Sequence, residues 1–274
     1  MSTLQAIFMA ILQGVTELFP ISSLGHAVIL PALLRWRIDE AAIGFLPFLA
    51  VMHLGTALAL LLYFWRDWVG FAGGVLGFWR PAGAADRRLF WRVVVATIPA
   101  VIIGYAFEKT LRRGFAAPLL AAAFLIANGF MLFIAERLAK GARRPLSSLS
   151  WLDALVIGLW QCLALIPGVS RSGATMSGGY LARLDHEDAA RFSFLTATPV
   201  IFGAVVLEAP KLLKGHSHFG SAAIIAGVVA GVTAWLSAVL LMRWFKTHEV
   251  RGFLPFAIYC WIAGAVSLAL LSLR

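Results

Sequence analysis

QGVTELFPISSLGHAVIL, residues 13–30, sets a carboxylate, hydroxyls and an imidazole inside an otherwise oily stretch. Gln13 and Glu17 stand four apart and share one helix face. Pro20 then breaks the helix, and Ser22, Ser23 and His26 follow in the turn and at the start of the next helix. A second interruption, PGVSRSGATMSGG at residues 167–179, cuts another apolar stretch in the same way. The reading of these two segments decides the fold, because irregular backbone at membrane depth is tolerated only when buried in protein or lining a wet cavity.

The surroundings are oily from end to end. Of the 274 residues 61% are hydrophobic and 13% charged, with a mean hydropathy of +0.88; soluble domains run near 45–50% and about 25%. This excludes a soluble domain and implies an all-α polytopic membrane protein, a single integral membrane domain over 1–274. Six stretches are long enough to cross, about 41–64, 89–107, 115–135, 192–209, 220–242 and 253–273. The apolar stretches 3–34 and 151–182 are interrupted. A helix over 151–166 would be ~24 Å long, short of the ~30 Å hydrocarbon core, so both are expected to be re-entrant helical hairpins. No basic residue precedes Arg35, so the N-terminus reads as mature. The net charge of +10 resides in loops, a topology signal and not a nucleic-acid one. Cys162 and Cys260, far apart in apolar segments, read as small buried hydrophobes without a disulfide or metal role.

The interrupted segments also match each other. An ungapped offset of 148 pairs Ser2 with Ser150, Gln13 with Gln161, Ser22 with Ser170, Gly25 with Gly173 and Arg35 with Arg183; Asp39-Glu40 falls on Glu187-Asp188. Both copies open on a capping-box pattern, Ser2-x-x-Gln5 and Ser150-x-x-Asp153. Each half then holds one hairpin and three spans, repeat 1 about 1–136 and repeat 2 about 149–274. Three is odd, so the second half enters upside down, an inverted-topology repeat whose site is expected where the broken helices meet. Fourteen loop cations against eight make the side of loops 65–88, 136–150, 183–191 and 243–252 cytoplasmic. Both termini are then expected outside.

The 167–179 segment has the chemistry of a phosphate clamp. Arg171 carries a planar fork suited to phosphate oxygens. Ser170, Ser172 and Thr175 carry hydroxyls, Gly173 frees the backbone, and a helix start adds amides. The Gly-Lys-Ser/Thr ending of a Walker loop is missing. The plainer alternative is a glycine-rich kink with an arginine paired to a buried acid, yet an intramembrane arginine is functional by default. The first segment offers Ser23, His26 and Glu17 as nucleophile, base and orienting carboxylate, with Gln13 and Ser22 in support. Alternatively Glu17 holds a divalent cation, or the whole set is a hydrogen-bonded knot supporting the bend. His53 reads as a helix–helix hydrogen bond or pocket wall; His216, His218 and His248 read as solvated loop residues, and Glu208 as a span-end side chain snorkelling to the interface.

Together QGVTELFPISSLGH and PGVSRSGATMSGG, with HLGTALALLLYFWRD at 53–67, resemble the undecaprenyl-diphosphate phosphatase family of the bacitracin-resistance type, over essentially the whole chain. The resemblance implies a bacterial inner-membrane hydrolase with inverted repeats and two re-entrant hairpins, opening toward the periplasm. It implies removal of the terminal phosphate from undecaprenyl diphosphate, and from shorter isoprenyl diphosphates, to regenerate the carrier lipid for peptidoglycan. It also implies a divalent cation, Mg²⁺ or Ca²⁺. By motif position Gln13 and Glu17 fall on the family's acidic pair, Ser23 and His26 on its serine and histidine, and Ser170, Arg171 and Thr175 on its phosphate-binding run. Two departures stand out: Gln13 cannot ionise, and Leu24 takes a position more often small and polar. The attacking group is expected to be Ser23, His26 or water, with Ser23 and His26 as the favoured nucleophile and base. The rival is a lipid or anion transporter or flippase, which shares the architecture but needs no nucleophile. A phosphatidic-acid-type phosphatase is set aside because Ser177 stands where its pattern needs histidine.

Overall fold

Ser2 opens the first helix. Its hydroxyl accepts the Gln5 backbone N–H at 3.2 Å, and Gln5 Oε1 accepts the Ser2 N–H at 2.8 Å, so two otherwise orphaned amides are satisfied reciprocally. The computed structural model describes residues 2–36, 45–77, 83–107, 117–138, 141, 144–214, 221–248 and 251–273. Helix α1 (Thr3–Leu18) turns at Pro20 into α2 (Ser23–Leu33). Next come α3 (Phe45–Tyr63), α4 (Trp65–Leu76), α5 (Ala84–Ala106) and α6 (Pro118–Leu138). A second capped hairpin, α7 (Trp151–Gln161) and α8 (Arg171–Leu181), precedes α9 (His186–Lys214), α10 (Ser221–Thr247) and α11 (Leu254–Ser272). Among the described residues five of these helices are long and apolar enough to cross a membrane, and α3 and α4 make a sixth if the bent pair is taken as one span. Among the described residues there is no strand, only an isolated bridge between Arg144 and Leu184.

Two expectations need correction. Residues 65–76 are helix, not loop, bent by 76° from α3. Asp67 sits in the first turn of α4, where a carboxylate favours the helix, and it accepts a hydrogen bond from Arg191 of α9. Phe71 is fully covered, with Trp68 and Phe90 at ring distances of 5.4 and 5.8 Å. Burial of that aromatic face against α5 outweighs the charges at the helix start. The 151–166 helix is also shorter than expected: it ends at Gln161 and tightens into a 3₁₀ turn over Cys162–Leu165.

The hairpins do not pack within their own halves alone. Helix α1 lies against α10, and α7 against α5. Helices α3 and α10 approach until their backbones touch: a Cβ on Gly55 would stand 2.0 Å from the Gly227 carbonyl oxygen, the close contact small residues permit between spans. Helices α6 and α11 form the other long pair. The Asp39-Glu40 pair, His216, His218, the side chain of Glu208 and several loop cations counted for orientation lie outside the described residues. His248 is exposed but not merely solvated, since it stacks on Trp244 at 3.6 Å. Cys260 is buried and Cys162 half-buried, both as free thiols.

Candidate active site

The two interrupted segments meet turn against turn. A Cβ on Gly25 would stand 3.0 Å from the Gly168 Cα, and one on Gly173 would stand 3.3 Å from the Pro20 Cβ. Ser22 Oγ donates to the Val169 carbonyl at 3.2 Å, and Ser172 Oγ donates to that of Phe19 at 3.2 Å. Asn128 of α6 clasps both turns: its Nδ2 donates to the Pro20 carbonyl at 2.9 Å, and its Oδ1 accepts the Ser170 N–H at 2.9 Å. These partners fix the orientation of the amide, since a carbonyl only accepts and an N–H only donates. Gly168 sits at φ +100° with the Ala121 carbonyl oxygen 2.2 Å from where its Cβ would be; only glycine fits. Ser22 holds φ +70°, a conformation costing a non-glycine residue about 1–3 kcal/mol, offset by its hydroxyl, which accepts the Gly25 N–H at 3.2 Å. Ser22 thereby serves the turn where Leu24 cannot.

Glu17 is the hub. Its Oε2 accepts Ser23 Oγ–H at 2.5 Å and Gln13 Nε2–H at 3.0 Å, and its Oε1 accepts an Arg171 N–H at 2.9 Å. His53 Nε2 faces Oε2 at 3.4 Å. Four elements thus converge on one buried carboxylate. Arg171 also donates to the Ser193 carbonyl at 3.3 Å, which aims its fork across the gap between the hairpins. A buried charge is tolerated when paired and fully hydrogen-bonded, and this pair spans 154 residues of sequence.

Not every expected partnership forms. Ser23 bonds to Glu17 and not to His26. The His26 ring is occupied elsewhere: Nδ1 donates to the Ser22 carbonyl at 2.7 Å, and Nε2 accepts the Tyr259 O–H at 2.7 Å, with the two rings stacked 15° from parallel. The hydroxyls of the second segment are also engaged within the protein. Ser170 Oγ caps α8 by accepting the Gly173 N–H at 3.1 Å and lies 3.0 Å from Ser172 Oγ. Thr175 Oγ1 donates to the Arg171 carbonyl at 2.8 Å and meets Ser193 Oγ at 2.5 Å. These side chains shape the loop, while the first-turn amides of Arg171 and Ser172 have no acceptor within the helix. Asn128, Tyr259 and Ser193 carry no motif in the sequence; for Asn128 and Tyr259 a lone polar residue in an apolar span is the one signal, and Ser193 lacks even that among its polar neighbours Arg191, Thr196 and Thr198.

The donor set does not make a cation cage. No group of three or more His, Cys, Asp or Glu side chains converges among the described residues. Both oxygens of Glu17 are already accepting, Gln13 turns its N–H and not its oxygen toward them, and the Arg171 cation stands 2.9 Å away. A second cation beside that guanidinium would be repelled.

Fold and site together define a polytopic α-helical membrane protein with a buried carboxylate–guanidinium–hydroxyl centre. The chain belongs to the family described as bacitracin resistance protein BacA, which matches residues 6–266. It is 54% identical over 279 residues to an undecaprenyl-diphosphatase of Acidiphilium cryptum, with 99% of each chain covered. It is 52% identical to one of Granulibacter bethesdensis, covering 98% of this chain and 97% of that protein. A Gluconobacter oxydans undecaprenyl-diphosphatase is 49% identical, covering 96% and 97%.

Proposed function

We propose that the chain hydrolyses undecaprenyl diphosphate, and shorter isoprenyl diphosphates, to the lipid monophosphate and inorganic phosphate, recycling the carrier for peptidoglycan synthesis. The observation that carries this reading is the Ser23 hydroxyl held 2.5 Å from Glu17, with Arg171 on the other carboxylate oxygen. Arg171 and the first-turn amides of α8 hold the diphosphate and offset charge on the transferring phosphoryl group. Ser23 Oγ attacks the terminal phosphorus as its proton passes to Glu17 Oε2. The bond from phosphorus to the bridging oxygen breaks, and the lipid phosphate leaves with the electron pair and takes the proton from Glu17. Water then attacks the phosphoserine and gives its proton to Glu17, which returns it to Ser23 Oγ as that bond breaks. His26, engaged on both ring nitrogens, supports the Ser22 turn. Mg²⁺ or Ca²⁺ would arrive on the diphosphate, whose oxygens are hard ligands for it.

The inverted repeat is part of the same proposal. Helices α2 and α8, at 23–33 and 171–181, keep the offset of 148 residues, and both hairpins open on a formed capping box. Arg35 and Arg183 both hold positive φ past the hairpin ends, at 52° and 73°. The packing of α1 on α10 is matched by that of α7 on α5, as an exchange of halves requires. The hairpins are then re-entrant, in a bacterial inner membrane, with the site and both termini on the periplasmic side. Phosphate release from undecaprenyl diphosphate by the purified protein, with Ser23→Ala beside it, tests the function. Release by the wild type and its loss in the folded variant supports the reading; no release, with flux in liposomes, would point to a transporter.

A further inference from the structure

We infer that His53 is a positioning residue of this site, holding the Glu17 carboxylate in place when substrate takes Arg171. The inference rests on the diphosphatase reading and deepens it. His53 lies on α3, outside both hairpins. Its Nδ1 donates to the Leu49 carbonyl one turn back at 2.8 Å, which fixes the ring; as an imidazolium it carries an N–H on Nε2 as well, and that N–H faces Glu17 Oε2 at 3.4 Å. That oxygen is also the one accepting the Ser23 hydroxyl. Glu17 is anchored at Oε1 by Arg171, and a diphosphate drawing on the guanidinium competes for that anchor. What then keeps Oε2 on Ser23 is Gln13 from the same helix and His53 from another. An anchor on a rigid neighbouring span resists swinging of the carboxylate in a way that a partner one turn away cannot.

A second histidine–carboxylate pair shows what a purely structural one looks like here. Glu136 accepts His186 Nε2 at 3.1 Å together with the backbone N–H groups of Arg251 and Phe253 at 3.1 and 2.6 Å. The His186 ring is packed among Tyr180, Phe245 and Phe253 and is 2% exposed. That pair ties helix ends together, and among the described residues no hydroxyl or guanidinium is bonded to the carboxylate. The His53 side chain is 19% exposed, and its carboxylate partner holds a serine hydroxyl and an arginine.

The test is kcat and KM for undecaprenyl diphosphate in the full chain, comparing His53→Leu and His53→Gln with wild type, with melting temperatures alongside. Gln sets its amide nitrogen near the position of the ring Nε2 and keeps an N–H for Oε2. His53→Leu is expected to lower kcat about 10- to 100-fold with KM moved less than about threefold, as when an interaction made in the transition state is removed. His53→Gln is expected to recover most of kcat. An active wild type with full kcat in His53→Leu overturns the inference alone. So do equal losses in both variants, or losses that track the melting temperature, since packing would then explain them. An inactive wild type overturns the functional reading, and this inference with it.

Discussion

Replacing Asn128 by Leu should lower stability and turnover together, because one buried amide clasps both hairpin turns. Asn128 is 1% exposed, and its two ties run to the Pro20 carbonyl and the Ser170 N–H. A buried group left without its partner costs about 1–3 kcal/mol. Hydrogen bonds between spans measure lower, about 0.6 and up to ~1.7 kcal/mol, since chains unfolded in lipid find other partners. Two ties therefore contribute about 1–3 kcal/mol, which at about 2–4 °C per kcal/mol for a chain of this size lowers the melting temperature by roughly 2–12 °C. Freed turns also let Ser23 and Arg171 drift, and a displacement near 1 Å at a reacting centre costs about 100-fold in rate. The assay is thermal unfolding in detergent by tryptophan fluorescence, with phosphate release measured well below the transition. An unchanged melting temperature with wild-type turnover would refute the clasp.

Two further outcomes follow from the same geometry. Gly168→Ala should yield little folded protein, because it forces a Cβ to 2.2 Å from the Ala121 carbonyl at φ +100°; size-exclusion elution of a normal monodisperse species would contradict this. Tyr259→Phe removes the hydroxyl donated to His26 Nε2 and should cost about 1 kcal/mol of stability with turnover nearly kept. A loss of kcat by orders of magnitude with the fold intact would return His26 to an acid–base role.

Both helical hairpins were legible in the sequence because breaker residues cut two apolar stretches directly, at Pro20 and at Pro167-Gly168. The pairing of Glu17 with Arg171 was approachable through the offset of 148, which brings the two segments to one place. That offset also sets Ser23 against Arg171, each the first residue of its hairpin's second helix, so equivalent backbone positions carry a hydroxyl and a cation. The Ser23–His26 pairing failed for a local reason. Sequence proximity says nothing of ring direction, and the Ser22 carbonyl one turn back claims Nδ1. Helix α4 was missed because Arg66 and Asp67 read as loop charges, whereas tertiary contacts from Arg191 and Phe90 decide the matter. Asn128 gave only the signal of a lone amide in an apolar span, whose meaning comes from turns that lie 108 and 42 residues away.

The most direct test of a single hydrolytic site built from both turns is a double-mutant cycle on kcat/KM for undecaprenyl diphosphate, using Glu17→Gln, Arg171→Ala and the double variant. Groups that act as a unit are strongly non-additive. A single site requires large losses in both single variants and a double variant hardly worse than the more impaired one. Losses that multiply in the double variant would mean that the two residues act independently, and would rule a single site out.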